Sequence, residues 1–593
     1  MSQLLKSSGA IALATMLSRV LGMVREMIYA WFMGDTWVAG AFTLAFMVPN
    51  LFRRLLGEGA LTAAFIPIFK EKEKTTTEAE LWRASNAVLS ALTAGTLAIV
   101  AVGILAITLL LQLDLRPEEA RRMGQLLALA LPWVCVAGAA GAFLLWRSAG
   151  RPLPRAARGL VGACAGLVSL WLALLAATTL VLQFNLRDGQ TLLMFQLLRV
   201  MFPYVWLVCV AAVCMAMLNA RGHFFVPAMG ATMLNVVMIL SVLAGVKLIH
   251  GPREQQIFAL AIGVVLAGVA QAAFQWPLLH REGFRVAWVS PWRDETVRRV
   301  VQQMIPGAIG VAAFQINILV TQGFAFSLDA GVVASFGYAV RLMELPQGVF
   351  GISLATFLLP TLSGLAAEKK YPEFRATLRQ GIGWLVFVNL LAGVLLFVLA
   401  EPMVRLLFER GLFNEASTDR AALVLQCLAP GLVAFSLVNI LARAFYALGD
   451  TRTPMKISIF CLVVNALLAL ALLTPLRQAG LGVANTASAV VNMLLLSYAL
   501  RRKLKTLELA AVLRTWPALL GASFVAGTIA WGAAKLWTTH LGHATLWLRL
   551  GEVFLPIALA TAAYFALALW LKTGYADEML AMFQKRWART GQK

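Results

Sequence analysis

The chain repeats one pattern from end to end: an apolar run, then a short stretch that holds most of the local charge. A helix needs about 20 apolar residues to cross the hydrocarbon core of a bilayer, so runs of that length dictate what this chain can become. They can be placed near 8–33, 37–68, 85–112, 124–146, 159–184, 192–218, 225–249, 256–280, 301–328, 332–364, 379–400, 421–448, 455–475, 480–500, 514–537 and 548–571, about sixteen in all. With 60% hydrophobic and 13% charged residues, the expected fold class is an all-α polytopic membrane protein, not a globular enzyme with an anchor. The first run is too long for a cleavable signal. It also holds internal arginines and lacks a small-residue cleavage site before a soluble domain.

The net charge of +22 raises a nucleic-acid reading. The basic residues, however, sit in short loops: Lys70, Lys72, Lys74 and Arg83; Arg147, Arg151, Arg155 and Arg158; Arg281, Arg285, Arg293, Arg298 and Arg299; Lys369, Lys370, Arg375 and Arg379; Arg501, Arg502, Lys503 and Lys505. The tail adds Lys585, Arg586 and Arg589. This placement fits cytoplasmic loops facing anionic lipid, with no nucleic-acid partner, and puts both termini in the cytoplasm. The cysteines (135, 164, 209, 214, 427 and 461) lie within apolar runs without a CxxC pair, and the histidines show no ligand spacing. No disulfide framework, metal site or cofactor is expected.

Arg19, Arg25 and Glu26 interrupt the first apolar run, and Arg53, Arg54 and Glu58 the second. An ionised side chain at membrane depth costs roughly 2.5–3.5 kcal/mol on insertion scales, so these residues need a compensating role. At about 100° per residue, Ser8, Thr15, Ser18, Arg19, Gly22, Arg25, Glu26 and Tyr29 fall within one sector of about 120°. A polar face on an otherwise greasy helix is the pattern of a cavity lining. A solvated surface helix is the alternative, and the apolar residues before and after argue against it.

Repeats organise the rest. Residues 106–134 recur at 177–205: Leu115–Arg116 matches Leu186–Arg187, Gln125–Leu126–Leu127 matches Gln196–Leu197–Leu198, and Pro132 matches Pro203. This reads as tandem duplication of a two-helix unit, around 84–147 and 155–218. A weaker echo pairs Ala220, Gly222 and Pro227 with Ala447, Gly449 and Pro454, and Pro49 with Pro346. The implied organisation is an N-terminal lobe over 1–300, a second lobe over 301–505, and a final helix pair with a tail over 506–593. Substrate is expected between two such pseudo-symmetric lobes.

In the second lobe Arg341 lies in FGYAVRLMELP, with Glu344 and Tyr338 on the same helical face. Arg19, Arg25, Arg53 and Arg341 would form a cationic cluster suited to phosphate, because a guanidinium stays charged and grips two oxygens at once. Ser18, Glu26, Asn50, Arg54, Glu58 and Glu344 are the expected supports. The competing reading has each arginine neutralised by Glu26, Glu58 or Glu344 for packing alone. Catalysis has no motif here. Glu401, Glu409, Glu415 and Asp419, interleaved with Arg405, Arg410 and Arg420, read as a solvated external loop. For the last pair, 514–571, plain helix packing and a lipid-facing groove both stand open.

SRVLGMVRE (18–26), PNLFRRLLGEGALTAAFIPIF (49–69), RLMELPQGV (341–349) and FYALGDTRTPMK (445–456) resemble the MurJ (MviN) family of lipid II flippases, within the superfamily that includes MATE-like exporters. The resemblance runs over nearly the whole chain. It implies two six-helix lobes about a central cavity plus a final pair, a plan of about fourteen helices that the duplicated pair extends to about sixteen. It further implies that Arg19, Arg25, Arg53 and Arg341 receive the substrate's diphosphate and that 514–537 and 548–571 accommodate its polyprenyl tail. The expected function is transfer of lipid II, an undecaprenyl-diphosphate-linked peptidoglycan precursor, across the bacterial cytoplasmic (inner) membrane by alternating access. Expected partners are lipid II, membrane lipids and the cell-wall synthesis machinery. Alternatives are a flippase for another polyprenyl-diphosphate-linked saccharide, a cation-coupled exporter, and a non-transporting scaffold for cell-wall synthases. The pattern departs at Gly40, Met47 and Val340, where the family carries charge. Thr321, Asn465 and Thr486 stand where some relatives bind sodium, but without a carboxylate. Coupling through the membrane potential needs no such site.

Overall fold

A computed structural model describes residues 2–54, 60–112, 189–292, 294–507 and 510–579, and among these all regular structure is helical. Most of both copies of the inferred repeat, along with Glu58 and the side chains of Ser8 and Thr15, lies outside the described residues.

The helices are α1 (Ser2–Met33), α2 (Trp37–Phe52), α3 (Ala60–Thr75), α4 (Glu78–Gln112), α5 (Gly189–Met201), α6 (Tyr204–Ala220), α7 (Phe225–Leu248), α8 (Arg253–Arg281) and α9 (Glu295–Leu328). They continue as α10 (Ala330–Pro346), α11 (Ser353–Ala367), α12 (Tyr371–Val398), α13 (Ala400–Phe408), α14 (Glu415–Leu428), α15 (Leu432–Ala447), α16 (Arg452–Leu504), α17 (Ala510–His540) and α18 (Leu546–Trp570). Among the described residues, eight helical runs are long and apolar enough to cross a membrane. The chain divides into two compact units, residues 1–100 with 200–593, and residues 101–199. The second holds the end of α4 and most of α5 within its described part.

Several expected spans are broken, two of them shortly after a proline. The run 37–68 becomes α2 and α3, with a π-type turn at Arg53–Arg54 after Pro49. The run 332–364 becomes α10, a π turn over Gln347–Ile352 directly after Pro346, and α11. Proline by itself does not set these breaks, since Pro67, Pro277, Pro360, Pro517 and Pro556 lie inside unbroken helices. Phe202–Pro203 separates α5 from α6 within the run 192–218. Conversely, the runs 455–475 and 480–500 join into α16, bent at Arg477, whose φ of 48° and ψ of −126° are not helical.

In the stretch expected to form the first lobe, α3, α4, α6 and the end of α8 share a core of Leu61, Phe65, Phe69, Trp82, Leu89 and Met217. The extended link that follows α8 is fastened to α4. Asn86 Nδ2 donates to the Arg285 carbonyl (2.9 Å), Ala287 N donates to Asn86 Oδ1 (3.1 Å), and Val289 N to Ser90 Oγ (3.2 Å). Asp294 then caps α9 by accepting from Thr296 N and Val297 N. The link between α8 and α9 is therefore anchored to α4.

The larger core joins the second lobe to the final pair. Leu385, Phe387 and Leu437 pack with Leu519, Ala526, Ala530, Ala560 and Tyr564, and Tyr564 Oη donates to the Phe387 carbonyl (2.8 Å). Ala522, Ala526, Ala530 and Ala534 form a small-residue ridge on α17, which lets helix backbones approach closely in a bilayer. Phe524, Trp531, Phe554 and Leu559 point outward and remain exposed.

The solvated-loop reading of 401–420 is corrected at Arg405, Glu409 and Arg420, whereas Glu401, Arg410, Glu415 and Asp419 are exposed. Arg405 is 4% exposed, donates to Glu552 Oε1 (2.9 Å) and pairs with Glu401. Arg549 of α18 reaches Glu409 Oε1 (3.1 Å). These ions tie α13 to α18, and Arg420 reaches Asp35 of the first lobe. Interleaved charges resemble a surface loop in sequence because their partners lie more than a hundred residues away.

Candidate functional site

The site is built on α1 and α10. Successive residues Arg25 and Glu26 project from the last third of α1, and Arg341 projects from α10, in the stretch read above as the second lobe. Glu26 Oε1 accepts from Arg25 Nη2 (2.5 Å) and lies 3.5 Å from Arg341 Nε. One carboxylate thus serves two guanidinium groups from different lobes. Arg341 Nη1 also donates to Glu344 Oε2 (2.8 Å), the partner expected three residues on. Arg25 and Glu26 are mostly enclosed, at 12% and 13% side-chain exposure, whereas Arg341 and Glu344 keep 43% and 45%. The pair on α10 is the accessible end of the cluster.

Asn235 holds this arrangement from α7. Its Oδ1 accepts from Arg25 Nη1 (3.0 Å), while its Nδ2 donates to the Ser18 carbonyl (3.0 Å). Ser18 therefore supports the site through its backbone. The Arg25 guanidinium also lies over the Tyr29 ring, 5.4 Å from its centroid. Asn235 was not among the expected residues. A lone amide in the run FVPAMGATMLNVVMIL was the signal, since a buried polar group in a membrane span needs a partner.

Arg19 is exposed and lies one side of the π turn after α10. A Cβ added to Gly348 would overlap its guanidinium, so glycine at 348 is what lets the arginine lie against the second lobe. Arg53 and Arg54 sit in the π turn after Pro49. Arg53 Nε donates to Asn50 Oδ1 (2.9 Å) and Arg54 Nη1 to Gln315 Oε1 (3.3 Å) on α9. The cluster expected from sequence is thus resolved into three contacts: Arg25 and Arg341 share Glu26, Arg19 rests on Gly348, and Arg53 is steadied by Asn50. Arg341 precedes its proline and Arg53 follows its own, so the two are not strict counterparts.

Each of the sodium-site candidates Thr321, Asn465 and Thr486 takes part in a hydrogen bond within the protein. Asn465 Nδ2 donates to Thr321 Oγ1 (3.0 Å) between α16 and α9, whereas Thr486 Oγ1 donates to the Cys427 carbonyl (2.8 Å). Among the described residues no group of three or more His, Cys, Asp or Glu side chains is placed to hold a metal ion.

Chemically, the site offers forked donors from both lobes around a single shared carboxylate. Such donors suit an anion with several oxygens, and binding one would have to displace or share the contacts of Glu26.

The family described as lipid II flippase MurJ matches residues 29–144 and 147–551. A relative from Vibrio cholerae serotype O1, named "Probable lipid II flippase MurJ", is 31% identical over 97% of both chains. One from Burkholderia cenocepacia, named "Lipid II flippase MurJ", is 29% identical over 88% of this chain and 89% of its own. A solved structure described as "Lipid II flippase MurJ, inward closed conformation" superposes with a TM-score of 0.66 at 17% identity, covering 95% of this chain and 98% of that one. At that identity the likeness speaks for the fold.

Proposed function

The chain belongs to the lipid II flippase MurJ family, and on that premise we propose that it moves lipid II from the inner to the outer leaflet of a bacterial cytoplasmic membrane by alternating access of its two lobes. It is a multi-pass membrane transporter that breaks no covalent bond in its substrate, with both termini in the cytoplasm. The observation that carries the reading is the sharing of Glu26 between Arg25 and Arg341, which belong to different lobes.

Arg341 is held only loosely by Glu26, at 3.5 Å, and more closely by Glu344, at 2.8 Å. An incoming diphosphate presents several oxygens and more negative charge than one carboxylate, so it competes for both guanidinium groups. Arg19 and Arg53 then supply further positive charge from the first lobe. The polyprenyl tail remains in lipid beside α17 and α18, whose outward faces are apolar. An inside-negative potential acts on each charge crossing the field by roughly 2.3 kcal/mol per 100 mV, which favours return of an empty, net-positive site to the cytoplasmic side. Membrane lipids and the cell-wall synthesis machinery are the expected neighbours.

Loss of one charge-assisted contact costs about 1.5–3 kcal/mol, or roughly ten- to a hundredfold in binding. Arg341→Ala should abolish complementation of a flippase-depleted strain at matched membrane levels. Arg341→Lys should recover only part of it, because a point charge cannot reproduce the fork. Full growth with Arg341→Ala would contradict the clamp.

A further inference from the structure

A second polar junction between the lobes lies just past the C-terminal end of α1, in the short link Gly34–Thr36 that leads to α2. Asp35 there is 6% exposed. Its Oδ2 accepts from Ser335 Oγ of α10 (2.8 Å) and Arg420 Nε of α14 (2.6 Å). Its Oδ1 accepts from Ser417 Oγ (2.5 Å) and Arg420 Nη2 (2.9 Å), both on α14. Every one of these donors belongs to the second lobe.

The backbone docks as well. Leu412 N donates to the Trp31 carbonyl (3.2 Å) and Tyr338 Oη to the Gly34 carbonyl (3.2 Å). Gly34, Gly331 and Gly411 allow this, since a Cβ on any of them would collide with backbone of the opposite lobe at Leu412, Asp35 or Trp31. Burial opposes ionisation of Asp35, but the hydrogen bonds from Arg420, Ser417 and Ser335 outweigh it and hold the carboxyl below its ordinary pKa. The carboxylate is charged whenever the junction is closed near neutral pH.

We propose that Asp35 is the catch of an outer gate: its seat between α10 and α14 holds the lobes shut on the external side, and its release lets that side open. This rests on the topology proposed above, which places the link between the first two spans outside. The chemistry suits a reversible catch. A buried ion pair stabilises little beyond what its separated, hydrated partners recover, yet it demands one geometry. When the lobes part, water can satisfy Asp35, and Arg420, whose side chain is already 42% exposed, needs little rearrangement to be solvated. An apolar seal of the same size would leave greasy surface in water on each cycle.

The test reads opening directly, without substrate. In the purified full-length protein, hydrogen–deuterium exchange of peptides covering 30–38 and 410–418 reports the Leu412 amide and the link. Asp35→Asn keeps the shape and removes the charge; Arg420→Gln removes the partner from a half-exposed position where misfolding is not expected. Either should raise exchange in both segments roughly tenfold or more, the lower end expected for one charge-assisted contact. Ser335→Ala should raise it less. Unchanged exchange in both Asp35→Asn and Arg420→Gln would overturn the catch. Thiol labelling of Trp31→Cys from the outside, in a cysteine-free background, separates the two claims. Raised exchange with labelling only from the inside keeps the catch but refutes the topology on which its side was assigned.

Discussion

Glu26 is the residue on which the two readings of the arginine cluster meet. Sequence spacing gave Arg25–Glu26 and Arg341–Glu344 as neutralising pairs, and both pairs form. What spacing could not give is that Glu26 also reaches Arg341 across 315 residues of chain, or that Asn235 fixes Arg25, because neither contact is local. The arginines were legible because charge in an apolar run is conspicuous. Their partners were not, because an amide or a glycine in such a run is not. Gly348 illustrates this: in sequence it is one glycine in RLMELPQGV, and in the structure it is the surface on which Arg19 rests. Gly348→Ala should displace Arg19 and lower transport with little loss of folded protein. Complementation at matched expression, with thermal stability of the purified variant, checks this; normal growth would mean that Arg19 acts elsewhere.

Elements were predicted best where apolar length alone decides and worst where a π turn or close packing intervenes. The π turns after Pro49 and Pro346 split two expected spans; Arg53 lies in the first, and Arg341 six residues before the second. The motif FYALGDTRTPMK has a local explanation. Gly449 adopts φ of 72°, and Asp450 accepts from Thr453 N (3.0 Å) while pairing with Lys503 (2.6 Å), so the turn caps the start of α16 and ties it to its end. For α17 and α18, both packing and a lipid groove stood open from sequence. The alanine ridge on α17 packs into the second-lobe core, and the exposed apolar residues lie on other faces. Ala526 is fully buried, so Ala526→Leu should overpack that seam and cost about 1–3 kcal/mol. A thermal unfolding scan in detergent would show this as a lowered midpoint; an unchanged midpoint would mean that α17 packs more loosely than the ridge implies.

At the scale of the molecule, the two proposed lobes meet through polar contacts at the arginine site at Glu26 and at the junction at Asp35. Alternating access needs such contacts to be breakable, and ion pairs with accessible partners meet that need better than an apolar seal. The inferred duplication adds a hairpin, which would leave the sidedness of every later span unchanged. Single cysteines at positions 150 and 188 should then label from opposite sides of the membrane, and same-side labelling would refute the additional pair. The central claim is that lipid II crosses at the arginine site. Its most direct test is a leaflet-resolved assay of lipid-linked precursor in cells depleted of their own flippase and expressing this chain or its Arg25→Ala variant at equal levels. The account predicts outer-leaflet precursor with the unaltered chain and inner-leaflet accumulation with the variant; outer-leaflet precursor at equal levels in both would contradict it.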